Sequence, residues 1–205
     1  MVKKVLLLAV LALALPLAAF ASGNVDFTNV GGTISGDASG LSLSGSTLAI
    51  VNGLYGGGVI TGSNLGSVSF TTGAFLTGNA QTGGTLAAGG TFMIVGNGVN
   101  GVPIGTIFSG TFTSANWEMI TLANGNHEYA LVGAIAGSLG SGFSTNGATS
   151  QLTIVVDTHK GYFNGSAGLA SGDTSVAVPE PGTLSLFGTG LIGLAGVIRR
   201  KLNLV

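Results

Sequence analysis

Apolar and polar residues alternate along much of the chain between residues 22 and 178. This period of two gives a β-strand one buried and one solvated face, and residues 106–113 (TIFSGTFT) show it plainly. No stretch of this region has a long helical period with caps, so it is predicted to be all-β. The predicted strands are 41–51, 66–72, 91–95, 105–113, 117–122, 127–136 and 151–156.

Dipeptides typical of tight turns fall between and beside these segments. Asn-Gly suits the positive-φ positions of a hairpin turn and is a strong short-range hairpin signal. The predicted fold is therefore an antiparallel β-sandwich over residues 22–178. A β-solenoid is the alternative, although no repeat is sustained over three units. The turn pairs are Asn52-Gly53, Gly83-Gly84, Gly89-Gly90, Asn97-Gly98, Asn124-Gly125 and Asn146-Gly147.

The first 21 residues have the pattern of a secretory signal peptide. Lys3 and Lys4 precede the apolar run 5–15, and Ala19 and Ala21 supply the small-x-small cleavage pattern. The mature chain is expected to begin at residue 22. A retained anchor helix is the alternative, and both interpretations place the remainder outside the cytoplasm.

A second apolar segment, residues 184–198, carries no charge and is followed at once by Arg199, Arg200 and Lys201. With Thr183 included, a helix of this length would extend about 24 Å, short against a hydrocarbon core of about 30 Å. The pattern predicts a short transmembrane helix, with the basic residues as its cytoplasmic stop.

Composition narrows the chemistry of the region between these ends. The chain has 38 Gly, 6% charged residues and no Cys. The lack of Cys excludes a disulfide framework, a thiolate nucleophile and Cys-based metal sites. Residues 22–178 hold one cation, Lys160, against six carboxylates. Nucleic-acid binding is excluded because it needs several cationic phosphate contacts.

Candidate chemistry is sparse. Neither histidine lies in an H-E-x-x-H motif, and no G-x-S-x-G nucleophile motif occurs. Asp157, His159 and Asp173 are possible metal or sugar contacts, although a charged loop closing a hairpin is the favoured interpretation. Trp117 is a possible sugar-stacking residue, but a core position is favoured. We therefore predict no enzymatic activity, no cofactor and no metal site.

The segment before the C-terminal apolar run is Val178-Pro179-Glu180-Pro181-Gly182. Pro-Glu-Pro, a short Gly-containing hydrophobic segment and a basic cluster follow one another over residues 179–201, and this order resembles the PEP-CTERM sorting signal of Gram-negative bacteria. The resemblance implies processing by exosortase, a membrane-embedded enzyme, with Pro179, Glu180 and Pro181 as recognition residues. It also implies removal of the tail, 179–205, and delivery to the cell surface or the exopolysaccharide matrix.

Three functions remain for residues 22–178. The favoured one is a non-enzymatic protein exported by the Sec route, anchored transiently in the inner membrane and then associated with exopolysaccharide or biofilm. The second is a carbohydrate-binding module, which needs several aromatic side chains exposed on one sheet face. A secreted hydrolase is the third. The candidate aromatic residues are Tyr55, Trp117, Tyr129 and Tyr162.

Overall fold

The alternating segments form strands that pair with their neighbours, with register shifts in several of the pairings. The computed structural model describes residues 23–140, 144–156 and 161–178. Within these ranges it contains two single 3₁₀ turns, Leu54–Gly56 and Val99–Gly101, and eleven strands. The strands are β1 (Asn24–Val30), β2 (Thr33–Asp37), β3 (Gly40–Asn52), β4 (Ile60–Thr71), β5 (Gly84–Leu86), β6 (Gly89–Asn97), β7 (Ile104–Thr121), β8 (His127–Leu139), β9 (Ser144–Val156), β10 (Ser166–Gly168) and β11 (Ser171–Ala177).

Eight of these strands close into an antiparallel barrel. Their order is β1-β11-β9-β8-β7-β6-β4-β3, and β1 pairs with β3 on its other edge. In β1, Phe27 lies opposite Thr174 of β11 on one side and opposite Val51 of β3 on the other. The all-β prediction is confirmed. The structure replaces the predicted two-sheet sandwich, and the alternative solenoid, with a single closed sheet.

A period of two could not have distinguished these architectures. Strands of a sandwich and strands of a barrel both bury every second side chain. What separates them is the second pairing of β1, and β1 itself was missed by the sequence pattern. Its sequence, NVDFTNV, is short and carries an aspartate.

The remaining three strands lie off the barrel path. β2 pairs with β3 and with β10, and β5 pairs with the second half of β7, where Leu86 lies opposite Ala115. β7 is long because it pairs with β6 first and with β5 afterwards. The two predicted strands 105–113 and 117–122 are therefore one strand.

Two of the predicted turns had opposite outcomes. Asn124-Gly125 lies in the β7–β8 hairpin turn, where the Gly125 amide donates to the Leu122 carbonyl at 2.8 Å. Asn146-Gly147 instead lies inside β9, whose pairing with β8 continues past it. The turn prediction is wrong there: the β8–β9 register shifts between Ile135 and Gly137, so Asn146-Gly147 lies at an irregularity within the strand and not at its end.

The barrel interior is filled by aromatic and aliphatic side chains, as expected for eight strands. Phe70 stacks on Phe92 with ring centroids 6.1 Å apart, and Phe112 meets both rings edge-on at 5.6 and 5.9 Å. Phe108 meets Phe92 edge-on at 6.0 Å. Such aromatic contacts add about 0.5–1.5 kcal/mol each beyond the area they bury.

Glycines on β8 make room for these rings. A Cβ placed on Gly133 would lie 2.5 Å from Cε1 of Phe112, and one on Gly137 would lie 2.7 Å from Cζ of Phe108. The neighbouring strand therefore needs glycine where it faces a phenylalanine ring. Part of the high glycine content is thus a packing requirement of the core.

Strand direction defines two ends of the barrel. The terminal end holds the paired first and last barrel residues, Asn24 and Ala177, with the β3–β4 and β6–β7 turns. The far end holds the β7–β8 turn, the 72–83 loop, and strands β2 and β10. Each antiparallel strand reverses direction, so alternate turns share one end.

Asn24–Ala177 forms one compact unit, and the segments 1–23 and 178–205 form another. Only Gly23 and Val178 of that second unit are described, and the Val178 amide donates to the Gly23 carbonyl at 3.1 Å. The predicted signal peptide, transmembrane helix 184–198 and sorting residues lie outside the described residues. No helix in the described ranges has the length and apolar content required to span a membrane.

Candidate functional site

Two of the four aromatic candidates are part of the core. Trp117 is 1% exposed, and its Nε1 donates to the Ala80 carbonyl at 2.8 Å. Its ring stacks on Tyr129 with centroids 5.2 Å apart, and Phe163 meets it edge-on. This agrees with the favoured core interpretation, and the ring offers no face to a sugar.

Tyr129 joins three separate segments at the far end. Its hydroxyl donates to the Gln81 carbonyl at 2.7 Å and accepts from the Phe163 amide at 3.0 Å. Burial raises the pKa of the Tyr129 phenol above its usual value. The residue therefore ties the 72–83 loop and the segment before β10 to β8, which is a structural role.

The other two aromatic candidates are exposed at opposite ends of the barrel. Tyr55 lies in the β3–β4 turn at the terminal end, and Tyr162 lies in the segment before β10 at the far end. Tyr162 also covers His127, with ring centroids 4.5 Å apart. The four residues do not form one aromatic platform.

Asp173 is the one member of the predicted polar set within the described residues. It is exposed on β11, where Thr28 Oγ1 donates to it at 2.7 Å. A shallow groove of about 250 Å³ is lined by Asp26, Thr149, Asp173, Thr174 and Ser175. Asp157 and His159 lie outside the described residues, so their proximity to Asp173 stays a prediction.

A second groove, of about 410 Å³, lies at the far end beside β2 and is lined largely by small and polar residues, including Asp37, Ser39 and Thr72. Hydrogen bonds from the hydroxyl and amide of Ser39 lower the pKa of the Asp37 carboxyl. Among the described residues, no three His, Asp or Glu side chains form a set that could hold a metal ion.

The outer surface of β3, β4, β6 and the first half of β7 carries no charged side chain. Residues 38–117 contain no Asp, Glu, Lys, Arg or His. On β3, β4 and β7, small hydroxyl side chains alternate with buried apolar ones such as Val68 and Phe70, whereas β6 exposes Thr91 and Met93. We call this outer surface the hydroxyl face. The sequence shows the uncharged run, but only the pairing shows that it covers adjacent strands.

Strand register aligns the hydroxyl face into rows. One row runs Ser42, Thr71, Thr91, and the Thr71 and Thr91 hydroxyls lie 3.2 Å apart. A second row runs Ser69, Met93, Ser109. The result is an uncharged outer surface rich in hydrogen-bonding groups, supported by the phenylalanine core beneath it.

Residues 177–201 match the family model described as the PEP-CTERM protein-sorting motif. The resemblance identified from the sequence is thereby confirmed, and the motif marks the chain as an exosortase substrate. Proteins with this motif are exported and sorted to the cell surface. No curated protein and no solved structure matches the chain significantly.

Replacing Tyr129 by Phe is expected to destabilise the fold by about 1–3 kcal/mol, because it leaves the buried Phe163 amide unpaired and removes the donor to the Gln81 carbonyl. Urea unfolding followed by far-UV circular dichroism measures the change. Tyr162→Phe is the matched control, since its ring is exposed, and it should change stability by less than about 0.5 kcal/mol.

The same variant has a pH signature. Because folding raises the pKa of Tyr129, its phenol ionises at lower pH in the unfolded chain than in the folded one. The neutral Tyr129 phenol therefore favours the folded state less and less as pH rises above about 10. Tyr129→Phe should show a shallower loss than the parent chain between about pH 9.5 and 11. Equal slopes of unfolding free energy against pH in the two chains would contradict a raised pKa for Tyr129.

Proposed function

We propose that this chain is a non-enzymatic exported protein that reaches the bacterial cell surface through exosortase and associates there with exopolysaccharide. The observation that carries the second half of this proposal is the hydroxyl face, an uncharged surface spread over four adjacent strands. The PEP-CTERM motif supports the first half.

The route follows from the two ends of the sequence. Residues 1–21 direct export by the Sec pathway, and cleavage after Ala21 releases the amino end. The apolar segment 184–198 then holds the chain in the inner membrane of a Gram-negative cell, with the basic cluster 199–201 on the cytoplasmic side. Exosortase recognises Pro179, Glu180 and Pro181, and removal of the tail frees the barrel for the matrix.

Polysaccharide suits the hydroxyl face for a physical reason. Each Ser or Thr hydroxyl can donate one hydrogen bond and accept two, and it rotates to match its partner. An uncharged face also avoids the cost of desolvating buried ions when a sugar covers it. Individually weak contacts along a repeating polymer can add through multivalency.

An aromatic carbohydrate-binding platform has less support, because Trp117 and Tyr129 are buried and the two exposed tyrosines lie at opposite ends. The hydroxyl face would contact sugar without stacking. Binding would therefore be weak per site and broad in specificity, as suits a matrix component.

The sorting step predicts different locations for two variants. Replacing Pro179, Glu180 and Pro181 by Ala should leave an unprocessed chain in the inner membrane, because the apolar and basic parts of the tail remain. Deleting residues 179–205 should instead release the chain from the membrane. Fractionation with immunoblotting measures both, and Thr183→Ala is the control. Surface delivery of the deletion variant would contradict the proposed route.

The absence of enzymatic activity is tested by incubating the purified full-length chain with panels of ester and glycoside substrates. No turnover above the buffer rate is expected. Turnover that persists through successive purification steps would contradict a non-enzymatic role.

The hydroxyl face predicts that a double substitution, Ser67→Glu and Ser69→Glu, weakens co-sedimentation with exopolysaccharide from the producing cells by several-fold. Both positions are exposed on β4, so the fold should tolerate them. Val132→Glu is the matched control, since Val132 is 43% exposed on the outside of β8, away from the hydroxyl face. If the double variant and the control bind as the parent does, the hydroxyl face is not the binding surface.

A further inference from the structure

We propose that the terminal end of the barrel rests on the lipid surface of the inner membrane while the chain still carries its tail. This inference rests on the membrane anchoring in the proposed function. Four apolar side chains would make the contact, and we call them the apolar tip. They are Tyr55, Val59, Val99 and Ile104.

The apolar tip combines strong exposure with local neutrality. Ile104 is 85% exposed, Tyr55 and Val59 are each 65% exposed, and Val99 is 43% exposed. Tyr55, Val59 and Val99 lie in the two turns 53–59 and 98–103, which contain no charged residue, and Ile104 is the first residue of β7. Exposed apolar side chains that lie near one another commonly mark a protein or membrane interaction site, so the apolar tip is suited to an apolar partner.

A buried apolar residue anchors each turn, and hydrogen bonds join the β6–β7 turn to β4. Leu54 and Val102 point inward and are 7% and 2% exposed. The side-chain amide of Asn97 donates from Nδ2 to the backbone carbonyl of Asn64 at 2.8 Å. The side-chain amide of Asn100 donates from Nδ2 to the backbone carbonyl of Thr61 at 3.1 Å. These bonds join the β6–β7 turn to β4, beside the β3–β4 turn.

Tyr55 occupies a strained position. The two turns share the pattern Asn-Gly-apolar-x-Gly, and residue x is left-handed in both: φ is 53° at Tyr55 and 54° at Asn100. Asn adopts this conformation readily, whereas a bulky aromatic residue rarely does. Asn100 also uses its side chain within the fold, whereas the Tyr55 ring is 65% exposed and makes no hydrogen bond or ring contact with the residues that the structure describes. Strain of this kind points to a role outside the fold.

The linker to the apolar segment begins at the terminal end of the barrel. β11 ends at Ala177, paired with Asn24, and only residues 178–183 separate it from the apolar segment 184–198. Fully extended, that linker reaches at most about 25 Å. The apolar tip is therefore kept within reach of the bilayer whenever the tail is inserted.

The charge of the barrel favours apolar over electrostatic contact with lipid. The described residues contain five carboxylates and no Lys or Arg. Anionic headgroups would be repelled, so the contact depends on apolar burial and on Tyr55 at the interface, where tyrosine is favoured. Four side chains bind weakly alone, but the tail raises their effective concentration at the bilayer. The contact should then be insensitive to salt.

The test exploits the absence of cysteine from the chain. Single-cysteine variants Val59→Cys and Ile104→Cys, with Leu76→Cys and Val132→Cys as controls, are labelled with an environment-sensitive fluorophore. Leu76 is 70% exposed at the far end. Each full-length chain is reconstituted in phosphatidylcholine vesicles that contain a lipid-borne quencher.

Labels at 59 and 104 should be quenched at least threefold more than labels at 76 and 132, equally at low and high salt. Adding Tyr55→Asn should reduce the quenching of the label at 104 by half or more without lowering the melting temperature. Asn100 adopts the same backbone conformation in the β6–β7 turn, so Asn should fit at position 55.

Three results would contradict the proposed lipid contact, and the experiment distinguishes them. Equal quenching at all four sites, in chains that float with the vesicles, would overturn the proposed contact while leaving the anchoring intact. Chains that do not float would overturn the anchoring in the proposed function as well. A blue shift at 59 and 104 that depends on protein concentration and resists the lipid quencher would identify a second copy as the partner, and would also overturn the proposal.

Discussion

The double pairing of β1 is the constraint on which the rest of the structure depends. β1 carries hydrogen bonds to β11 on one edge and to β3 on the other, and this leaves the eight-stranded sheet without a free edge. A closed sheet of eight strands has an interior just wide enough for side chains. Closure therefore sets the size of the core, which Phe70, Phe92, Phe108 and Phe112 fill.

Closure also determines which surfaces are available. Because every strand turns one face inward, the Ser and Thr residues of β3, β4 and β7 and Thr91 of β6 lie on one continuous outer face. The extra strands β2, β5 and β10 lie towards the far end, where Trp117 and Tyr129 bind the loops by hydrogen bonds. At the terminal end, the β3–β4 and β6–β7 turns are uncharged, and the apolar tip lies on and beside them. The two ends therefore differ in chemistry as well as in position.

These surfaces suit two stages of one route. In the proposed route, an anchored chain needs a membrane-facing end that tolerates lipid, and the linker to the tail begins at the terminal end. A released chain needs a surface for its matrix, and the hydroxyl face stays free in both stages. The exported, exosortase-sorted character rests on the motif in residues 177–201, whereas the two contacts are our proposals.

The sequence by itself determined the all-β class, the PEP-CTERM motif and the core position favoured for Trp117, because periodicity and linear motifs are local properties. It also located β3, β6, β8 and the Asn124-Gly125 turn closely, and the second halves of β4 and β9. It could not locate β1, β2 and β11, whose short sequences each contain an aspartate and become strands by pairing with other parts of the chain. Tertiary structure alone decided the barrel, the separation of Tyr55 from Tyr162 and the clustering of the apolar tip. Each depends on which strands lie side by side, and a period of two carries no information about that.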